Sequence, residues 1–188
     1  MKRERRKWRR KTKRVDIDRL IFLDESGAKT NMKRGYGRSA KGERLVDAVP
    51  GGHWHTTTMI SAIRTTGVAT AMVTEGATNA LVFLGFVQHF LVPVLRAGDI
   101  VVLDNLSSHK VKGVVEVIEA VGAEAWYLPP YSPDLNPIEQ MWSKVKAVLR
   151  SLARRTTGAL HRAIGTALRR VTEQECINYF QNCGYTAT

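Results

Sequence analysis

Apolar residues along the chain follow two patterns, and each pattern predicts one kind of secondary structure. Short continuous apolar runs rich in β-branched side chains are typical of buried strands. The runs at 56–63 and 68–73 are joined through Thr65, Thr66 and Gly67, which predicts a β-hairpin. The full set of predicted strands covers residues 19–24, 56–63, 68–73, 99–103 and 125–128.

Longer stretches carry apolar residues every three or four positions, as expected for helices that bury one face. The first is capped by Thr78 or Asn79 and is kinked or ended by Pro93. Its apolar surface is formed by Leu81, Leu84, Phe86 and Val87. The predicted helices cover 79–96, 108–121, 137–152, 156–170 and 173–181. Antiparallel strands followed by alternating helices and strands predict an α/β fold, a mixed sheet covered by helices on both sides.

The stretch from Leu128 to Lys146 combines a rigid loop with a clear helix start. Its prolines fix φ repeatedly, which excludes helix until the last of them, Pro137. Asn136 is predicted to cap the helix, with Pro137 at the first helical position. Glu139 then lies in the first helical turn, beside the apolar face. The loop and the helix together therefore hold one carboxylate still.

The charge of the chain indicates a polyanionic partner. The 188 residues carry a net charge of +12, although the hydrophobic fraction of 44% is ordinary for a globular protein. Residues 1–14 contain ten Lys or Arg against Glu4. This arm is either a solvated, disordered tail or a segment that contacts nucleic acid, and its density of charge favours the second interpretation. Trp8 within it either stacks on a base or flanks a disordered tail.

Nothing in the sequence indicates secretion or membrane insertion. Cys176 and Cys183 lack the spacing of a zinc site, which favours a reducing cytosol. The basic N-terminus lacks the apolar core and cleavage site of a secretion signal. The longest apolar run, 80–95, contains Gln88 and Pro93 and is too short for a membrane span. The sequence therefore predicts a cytoplasmic protein that faces nucleic acid and has no membrane partner.

Three acidic residues lie at the ends of predicted elements. Asp24 and Asp104 end two strands, and Glu139 opens a helix. Side chains at the carboxyl ends of neighbouring strands meet at one edge of an α/β sheet. Three carboxylates gathered there would repel each other unless a cation lay between them, and carboxylate oxygens select Mg²⁺ or Mn²⁺. Two such ions about 4 Å apart suit phosphoryl transfer.

Each acidic residue alone has a simpler interpretation. Asp24 could start a turn, Asp104 could cap the next helix, and Glu139 could be a favourable charge at a helix N-terminus. When the three residues are considered together, a shared metal site is the better hypothesis, because all three lie where one site would need them.

Three segments resemble those of a known family. LDESG (23–27), LDNLSSHK (103–110) and LPPYSPDLNPIEQMWSKVK (128–146) are similar to segments of DDE transposases from bacterial insertion sequences of the mariner-type superfamily. Thirty-four residues separate Asp104 from Glu139, which is typical of that group. The resemblance extends over residues 19–185.

The resemblance implies a ribonuclease H-like fold, with three antiparallel strands followed by two parallel ones. It implies that Asp24, Asp104 and Glu139 are the catalytic residues, and that they bind two Mg²⁺ or Mn²⁺ ions. His109 resembles the family's DNxxxH histidine, which would touch the scissile phosphate or order the site. The alternative for His109 is a residue that only bonds its neighbours in a helix N-terminus.

The resemblance also implies a reaction and partners. The enzyme would cut transposon ends and join the freed 3′-hydroxyl to target DNA at TA dinucleotides, as a homo-oligomer on DNA in the bacterial nucleoid. Candidate DNA contacts lie in the arm, in the basic segment 26–53, which is predicted to be a long exposed loop, and on the helix after Glu139. They are Arg9, Arg10, Lys33, Arg34, Arg38, Lys144 and Lys146, the last two being equally well explained as solvated surface lysines.

Two domains are expected, a basic arm or linker over residues 1–18 and a catalytic domain over 19–188. Full-length members of the group carry helix-turn-helix units before the catalytic domain, whereas this chain has only the arm. It therefore resembles the catalytic half, either a truncated copy or the second reading frame of a split gene. A separate helix-turn-helix chain is then an expected partner.

Two other functions stay open. A structure-selective nuclease with the same three acidic residues would hydrolyse DNA without joining it. A truncated DNA-binding regulator would occupy transposon ends or poison oligomers of a full-length enzyme. The complete set of acidic residues favours an enzyme, and the missing recognition units favour a regulator.

Overall fold

The centre of the fold is a mixed β-sheet with helices on both faces. This computed structural model describes residues 2–48, 50–105 and 113–186. The strands are β1 (Leu20–Lys29), β2 (Thr56–Arg64), β3 (Gly67–Glu75), β4 (Ile100–Leu103) and β5 (Glu124–Tyr127). The α-helices of these ranges are α1 (Lys2–Thr12), α2 (Ala80–Phe86), α3 (Val114–Glu119), α4 (Pro137–Leu152), α5 (Thr157–Arg169) and α6 (Glu173–Asn182).

The strands lie in the order β3-β2-β1-β4-β5. β1 pairs antiparallel with β2, and β2 antiparallel with β3, whereas β4 pairs in parallel with both β1 and β5. This is the predicted arrangement of three antiparallel strands and two parallel ones. β1 is longer than predicted, because Ser26, Gly27 and Ala28 continue its ladder with β2. The segment 26–53, predicted to be a long exposed loop with a short strand near 45–49 as an option, therefore begins as strand.

The two faces of the sheet carry separate apolar cores, because side chains alternate along each strand. We call them face A, onto which Leu20 and Phe22 of β1 point, and face B, which receives Ile21 and Leu23. Residues of α1, α4, α5 and α6 pack into the core of face A. Residues of α2 and α3 pack into the core of face B.

The helix predicted over 79–96 changes its winding along its length. Asn79 caps α2 as expected, by accepting a hydrogen bond from Val82 N. The backbone then continues as a π-helical turn, Val87–Leu91, and a 3₁₀ turn, Val92–Val94. Pro93 lies in that last turn, where its missing N–H and fixed φ end the element. The expected burial of Leu81 is wrong, since this side chain is 80% exposed.

The remaining helices follow the sequence pattern more closely. α4 begins at Pro137, and α5 and α6 begin after Thr156 and Thr172, whose hydroxyls accept backbone N–H groups. The helix predicted over 108–121 falls partly outside the described residues, and its described part is α3. No helix within the described ranges is long and apolar enough to cross a membrane.

A buried ion pair connects the C-terminal end of β2 to the N-terminal end of β4. Two nitrogens of Arg64 donate to Asp99 at 3.1 and 2.7 Å, and one of them also donates to the carbonyl of Val94 at 2.7 Å. Asp99 accepts a further hydrogen bond from the N–H of Arg96 at 2.6 Å. Both side chains are more than nine-tenths buried. The pair lies at one end of β4 and the Asp24–Asp104 pair lies at the other. We therefore assign the ion pair a structural role.

Asp99→Ala would leave the Arg64 guanidinium buried without its counter-charge. We expect the free energy of unfolding in urea to fall by about 3–5 kcal/mol, the usual cost of breaking a buried ion pair. The control is Asp47→Ala, which removes the exposed carboxylate that pairs with Lys33 and should leave the urea midpoint unchanged. Equal losses in the two variants would contradict this assignment.

Candidate active site

Asp24 and Asp104 lie at the same level on two neighbouring parallel strands, Asp24 within β1 and Asp104 directly after β4. β1 and β4 pair with Leu23 opposite Leu103, so each aspartate is the next residue along its strand. Paired strands run about 4.8 Å apart. Leu23 and Leu103 lie in the core of face B, and alternation therefore assigns both aspartates to face A. Asp24 is buried and Asp104 is half-buried.

Face A is the face on which α4 lies. Its apolar residues, among them Ile138, Met141 and Trp142, are fully buried in the same core as Phe22 and Val102. The predicted apolar stripe of this helix is therefore confirmed. Glu139 lies in the first turn, next to Ile138, and its side chain is exposed. Burial of the stripe fixes the rotation of α4 and with it the direction in which Glu139 leaves the helix.

Asp104 and Glu139 line the same cleft, which has a volume of about 340 Å³. Its remaining walls come from Asn105 at the end of β4 and from the loop between β5 and α4. The complete lining is Asp104, Asn105, Leu128, Pro129, Pro130, Tyr131, Ser132, Pro133, Asn136 and Glu139. Asp24 lies on the adjacent strand and is not part of this lining.

The donor set suits a hard divalent cation, because carboxylate and amide oxygens are the ligands of Mg²⁺ and Mn²⁺. Asp104, Asn105, Asn136 and Glu139 supply such oxygens to one cleft. Within the described ranges, however, no three His, Cys, Asp or Glu side chains are gathered as a ready-made metal cluster. The structure thus brings Asp104 and Glu139 into one cleft and places Asp24 on the adjacent strand. The expectation that Asp24 ends its strand is wrong, because β1 continues past it to Lys29 in its ladder with β2.

The loop before α4 is held by local strain and local hydrogen bonds. Tyr131 has a backbone φ of 53°, a left-handed conformation that residues other than glycine rarely adopt. The Ser132 hydroxyl donates to the carbonyl of Pro130 at 3.2 Å, and Pro133–Leu135 form a 3₁₀ turn. Strained backbone of this kind persists only where the surroundings fix it.

Those surroundings come from the two ends of the described chain. The Trp8 indole N–H on α1 donates to the Tyr185 hydroxyl at 2.8 Å, and that hydroxyl donates to the carbonyl of Leu135 at 2.7 Å. Trp8 is only 6% exposed and packs edge-on against Trp126 of β5, with ring centroids 6.0 Å apart. Burial raises the pKa of Tyr185, which keeps its hydroxyl protonated as this relay requires.

A second contact ties α1 directly to the loop. Arg5 donates from two nitrogens to the carboxylate of Asp134 and donates to the Ser132 hydroxyl at 2.9 Å. These hydrogen bonds connect five residues, which we call the terminal clamp: Arg5, Trp8, Ser132, Asp134 and Tyr185. Neither expectation for Trp8 fits its position, because the side chain is buried in the core of face A.

Sequence comparison then decides the family. The model of the DDE superfamily endonucleases matches residues 19–159, three-quarters of the chain. The chain belongs to this family. A search of curated proteins finds no match.

Solved structures share the fold of this DDE endonuclease domain. They include a pre-cleavage Mos1 transpososome, with a TM-score of 0.79 and 17% identity over 97% of this chain and 57% of that one. A Mos1 mariner paired end complex with Mn gives a TM-score of 0.74 and 20% identity, over 96% of this chain and 57% of that one. The catalytic domain of Mos1 mariner transposase gives a TM-score of 0.63 and 16% identity, over 96% of this chain and 85% of that one.

At sequence identities this low, the structural similarity establishes the fold alone. It confirms the expected ribonuclease H-like class. The DDE endonuclease chain spans about 57% of the length of the proteins in the two complexes.

Four of the predicted DNA contacts are exposed in the DDE endonuclease structure. Arg9 and Arg10 lie on the solvent side of α1, and Arg34 and Arg38 lie in the segment between β1 and β2. Their role stays a prediction. Within the same segment, Tyr36 is 96% exposed.

The predicted lysine contacts are less available. Lys33 donates to Asp47 at 2.8 Å, and Lys144 is engaged by Glu175 and by the carbonyl of Arg170. Lys146 is half-buried. His109 lies outside the described residues. These contacts also stay predictions.

The sequence interpretation missed the terminal clamp. Its members are Arg5, Trp8, Ser132, Asp134 and Tyr185. The available signal was one tryptophan in an otherwise charged run, with Thr12 four residues later on the same helical side.

Tyr185→Phe tests the relay through the terminal clamp. The change removes the hydroxyl and leaves the Trp8 indole N–H without its acceptor, so the free energy of unfolding should fall by about 1–3 kcal/mol. Tyr36→Phe removes a hydroxyl from an exposed ring and should leave the urea midpoint unchanged. A midpoint for Tyr185→Phe equal to that of wild type would refute the relay.

The Arg5 contact should respond to acid. Hydrogen bonding to Arg5 holds the pKa of Asp134 below its usual value. When the pKa of a carboxyl is lower in the folded than in the unfolded protein, the charged carboxylate stabilises the fold. This stabilisation is complete at pH values above the unfolded pKa, about 3.9 for aspartate, and is lost as pH falls through the folded pKa.

Protection of α1 amides from hydrogen exchange, corrected for intrinsic rates, should be constant from about pH 7 to 5 and fall below about pH 4. In Asp134→Asn, the acid-dependent part of this loss should disappear. Identical pH profiles for the variant and wild type would count against the pair.

Proposed function

We propose that this chain is the catalytic domain of a DNA transposase. It cuts transposon ends and joins the freed 3′-hydroxyl to target DNA, using two Mg²⁺ or Mn²⁺ ions. The observation that carries the proposal is the cleft shared by Asp104 and Glu139, next to the register-matched Asp24, in a DDE endonuclease fold. Asp24, Asp104 and Glu139 are the proposed metal ligands.

Each part of the chain has a defined task in this proposal. Asp24 and Asp104 project from a rigid parallel strand pair, and Glu139 from a helix that its buried stripe holds in place. When bound, the divalent ions would activate the attacking oxygen and stabilise the leaving oxygen. Pre-positioned side chains of this kind lower the cost of bringing reacting groups together. His109 would touch the scissile phosphate or order the site.

The charge of +12 supports DNA as the partner. Arg9, Arg10, Arg34 and Arg38 are the exposed residues proposed to contact phosphates, so binding should weaken steeply as salt rises. Lys33, Lys144 and Lys146 are secondary candidates. Solved relatives in fold are described as a transpososome and as paired end complexes. By analogy, this chain would act as a homo-oligomer on transposon ends, at TA target sites.

A bacterial insertion sequence is the proposed source of this domain. The chain would work in the cytoplasm at the nucleoid, with a helix-turn-helix module on another chain to select the transposon ends. A nuclease and a regulator that only binds DNA are the competing functions.

Strand transfer on a precleaved transposon-end duplex tests the proposal. With Mg²⁺ or Mn²⁺, wild type should join the end to target DNA, whereas Asp104→Ala and Glu139→Ala should each lose roughly 1,000-fold. This loss corresponds to several kcal/mol of charge stabilisation. The control is Glu119→Ala, which removes an exposed carboxylate on α3, across the sheet from face A, and should leave joining unchanged.

The other outcomes assign the competing functions. Hydrolysis without joining would identify a nuclease. Tight DNA binding with neither activity, unaffected by Asp104→Ala, would identify a regulator.

A further inference from the structure

Asn136 occupies the helix-cap position before α4, yet its side chain makes no capping hydrogen bond. The two helices that follow show what capping looks like in this fold. The Thr156 hydroxyl accepts from Ala159 N, and the Thr172 hydroxyl accepts from Glu175 N, each at 3.3 Å. The sequence rule that places a cap at Asn136 identifies the position correctly but is wrong about what the side chain does.

The Asn136 amide oxygen is an unsatisfied acceptor. The residue is 4% exposed, and Oδ1 has no hydrogen-bond partner among the described residues. Leaving a buried acceptor unpaired is costly, and such groups call for a physical explanation. The amide oxygen of Asn136 does not accept the capping hydrogen bond that its position allows, and it therefore remains able to accept from another donor.

The cleft around Asn136 offers few donors of its own. Asn136 lines it together with Asp104 and Glu139, whose carboxylates accept hydrogen bonds. The loop prolines have no hydrogen to donate. Ser132 donates to the carbonyl of Pro130 and accepts from Arg5, so its hydroxyl is already used. Asn105 and Tyr131 also line the cleft and carry donor groups, yet neither is bonded to Asn136 Oδ1. The acceptor is therefore unpaired among the described residues, and a donor that enters the cleft can bind it.

We propose that Asn136 positions a substrate-site O–H group by accepting its hydrogen bond at Oδ1. This inference rests on the proposed function, which supplies two sources of such a group beside Asp104 and Glu139. One is a water molecule on a bound divalent cation, and the other is the 3′-hydroxyl of the DNA end. Both are O–H donors that a neutral amide oxygen can orient without adding negative charge to the site.

The test compares Asn136→Ala with Thr172→Ala, a variant that removes a working cap far along the chain. Three quantities are measured on each protein: the urea midpoint, the affinity for Mn²⁺ by calorimetry without DNA, and the rate of strand joining. Asn136→Ala should keep or raise the midpoint, because it removes an unsatisfied group and no cap. Its joining rate should fall about tenfold, the loss expected for one hydrogen bond. Thr172→Ala should lower the midpoint and leave joining unchanged.

Asn136→Asp retains an acceptor oxygen at the same place and should recover most of the joining rate at saturating Mn²⁺. Weaker Mn²⁺ binding by Asn136→Ala would identify the donor as water on the cation. Unchanged Mn²⁺ binding with slower joining would identify the DNA hydroxyl.

The proposal is overturned if Asn136→Ala joins at the wild-type rate, or if it loses stability as Thr172→Ala does. Failure of the wild type to join would count against the proposed function instead. In that case the Mn²⁺ measurement still separates the two sources: weaker binding with unchanged stability supports Asn136 as a positioning residue for water on the cation, and unchanged binding excludes that water as its donor.

Discussion

The parallel pairing of β1 with β4 is the constraint on which the candidate site depends. Leu23 opposite Leu103 fixes the register, and both leucines are fully buried on face B. A shift of one residue would turn an apolar side chain away from the core and an aspartate into it, so burial enforces the register. The adjacency of Asp24 and Asp104 therefore follows from hydrophobic burial on the opposite face of the sheet.

The third carboxylate depends on longer-range packing. The loop before α4 has to turn sharply at Tyr131 and then present Glu139 over face A. The terminal clamp holds that loop from both ends of the described chain, through Arg5, Trp8 and Tyr185. The ribonuclease H-like core supplies the aspartates, and the clamp supports the loop that leads to the glutamate.

Sequence patterns predicted the parts of this fold that rest on local physics. Buried strands read as apolar runs, and α4 reads as a stripe of apolar residues every three or four positions. Asp104 after β4 and Glu139 in the first turn of α4 lie where the pattern placed them, whereas Asp24 lies inside β1 and not at its end. β1 could not be bounded from its own sequence, because its extension to Lys29 depends on its ladder with β2.

The parts that were missed depend on distant partners. Ten basic residues in the arm indicated a segment that contacts nucleic acid, and like charges oppose helix formation in isolation. α1 forms against the fold because Trp8 is buried against Trp126 and Tyr185, which lie far along the chain. Asn136 carried a correct local signal for a helix cap. Only the three-dimensional structure shows that its amide oxygen makes no capping bond and that the residue lines the cleft instead.

The most direct measurement is the position of Mn²⁺ in crystals of the chain, located by anomalous scattering. We expect a site beside the cleft in which Asp24 and Asp104 share an ion and Glu139 completes the set of ligands. Mn²⁺ bound elsewhere, or bound without Asp24 and Asp104, would contradict the central claim that the β1–β4 register creates the metal site.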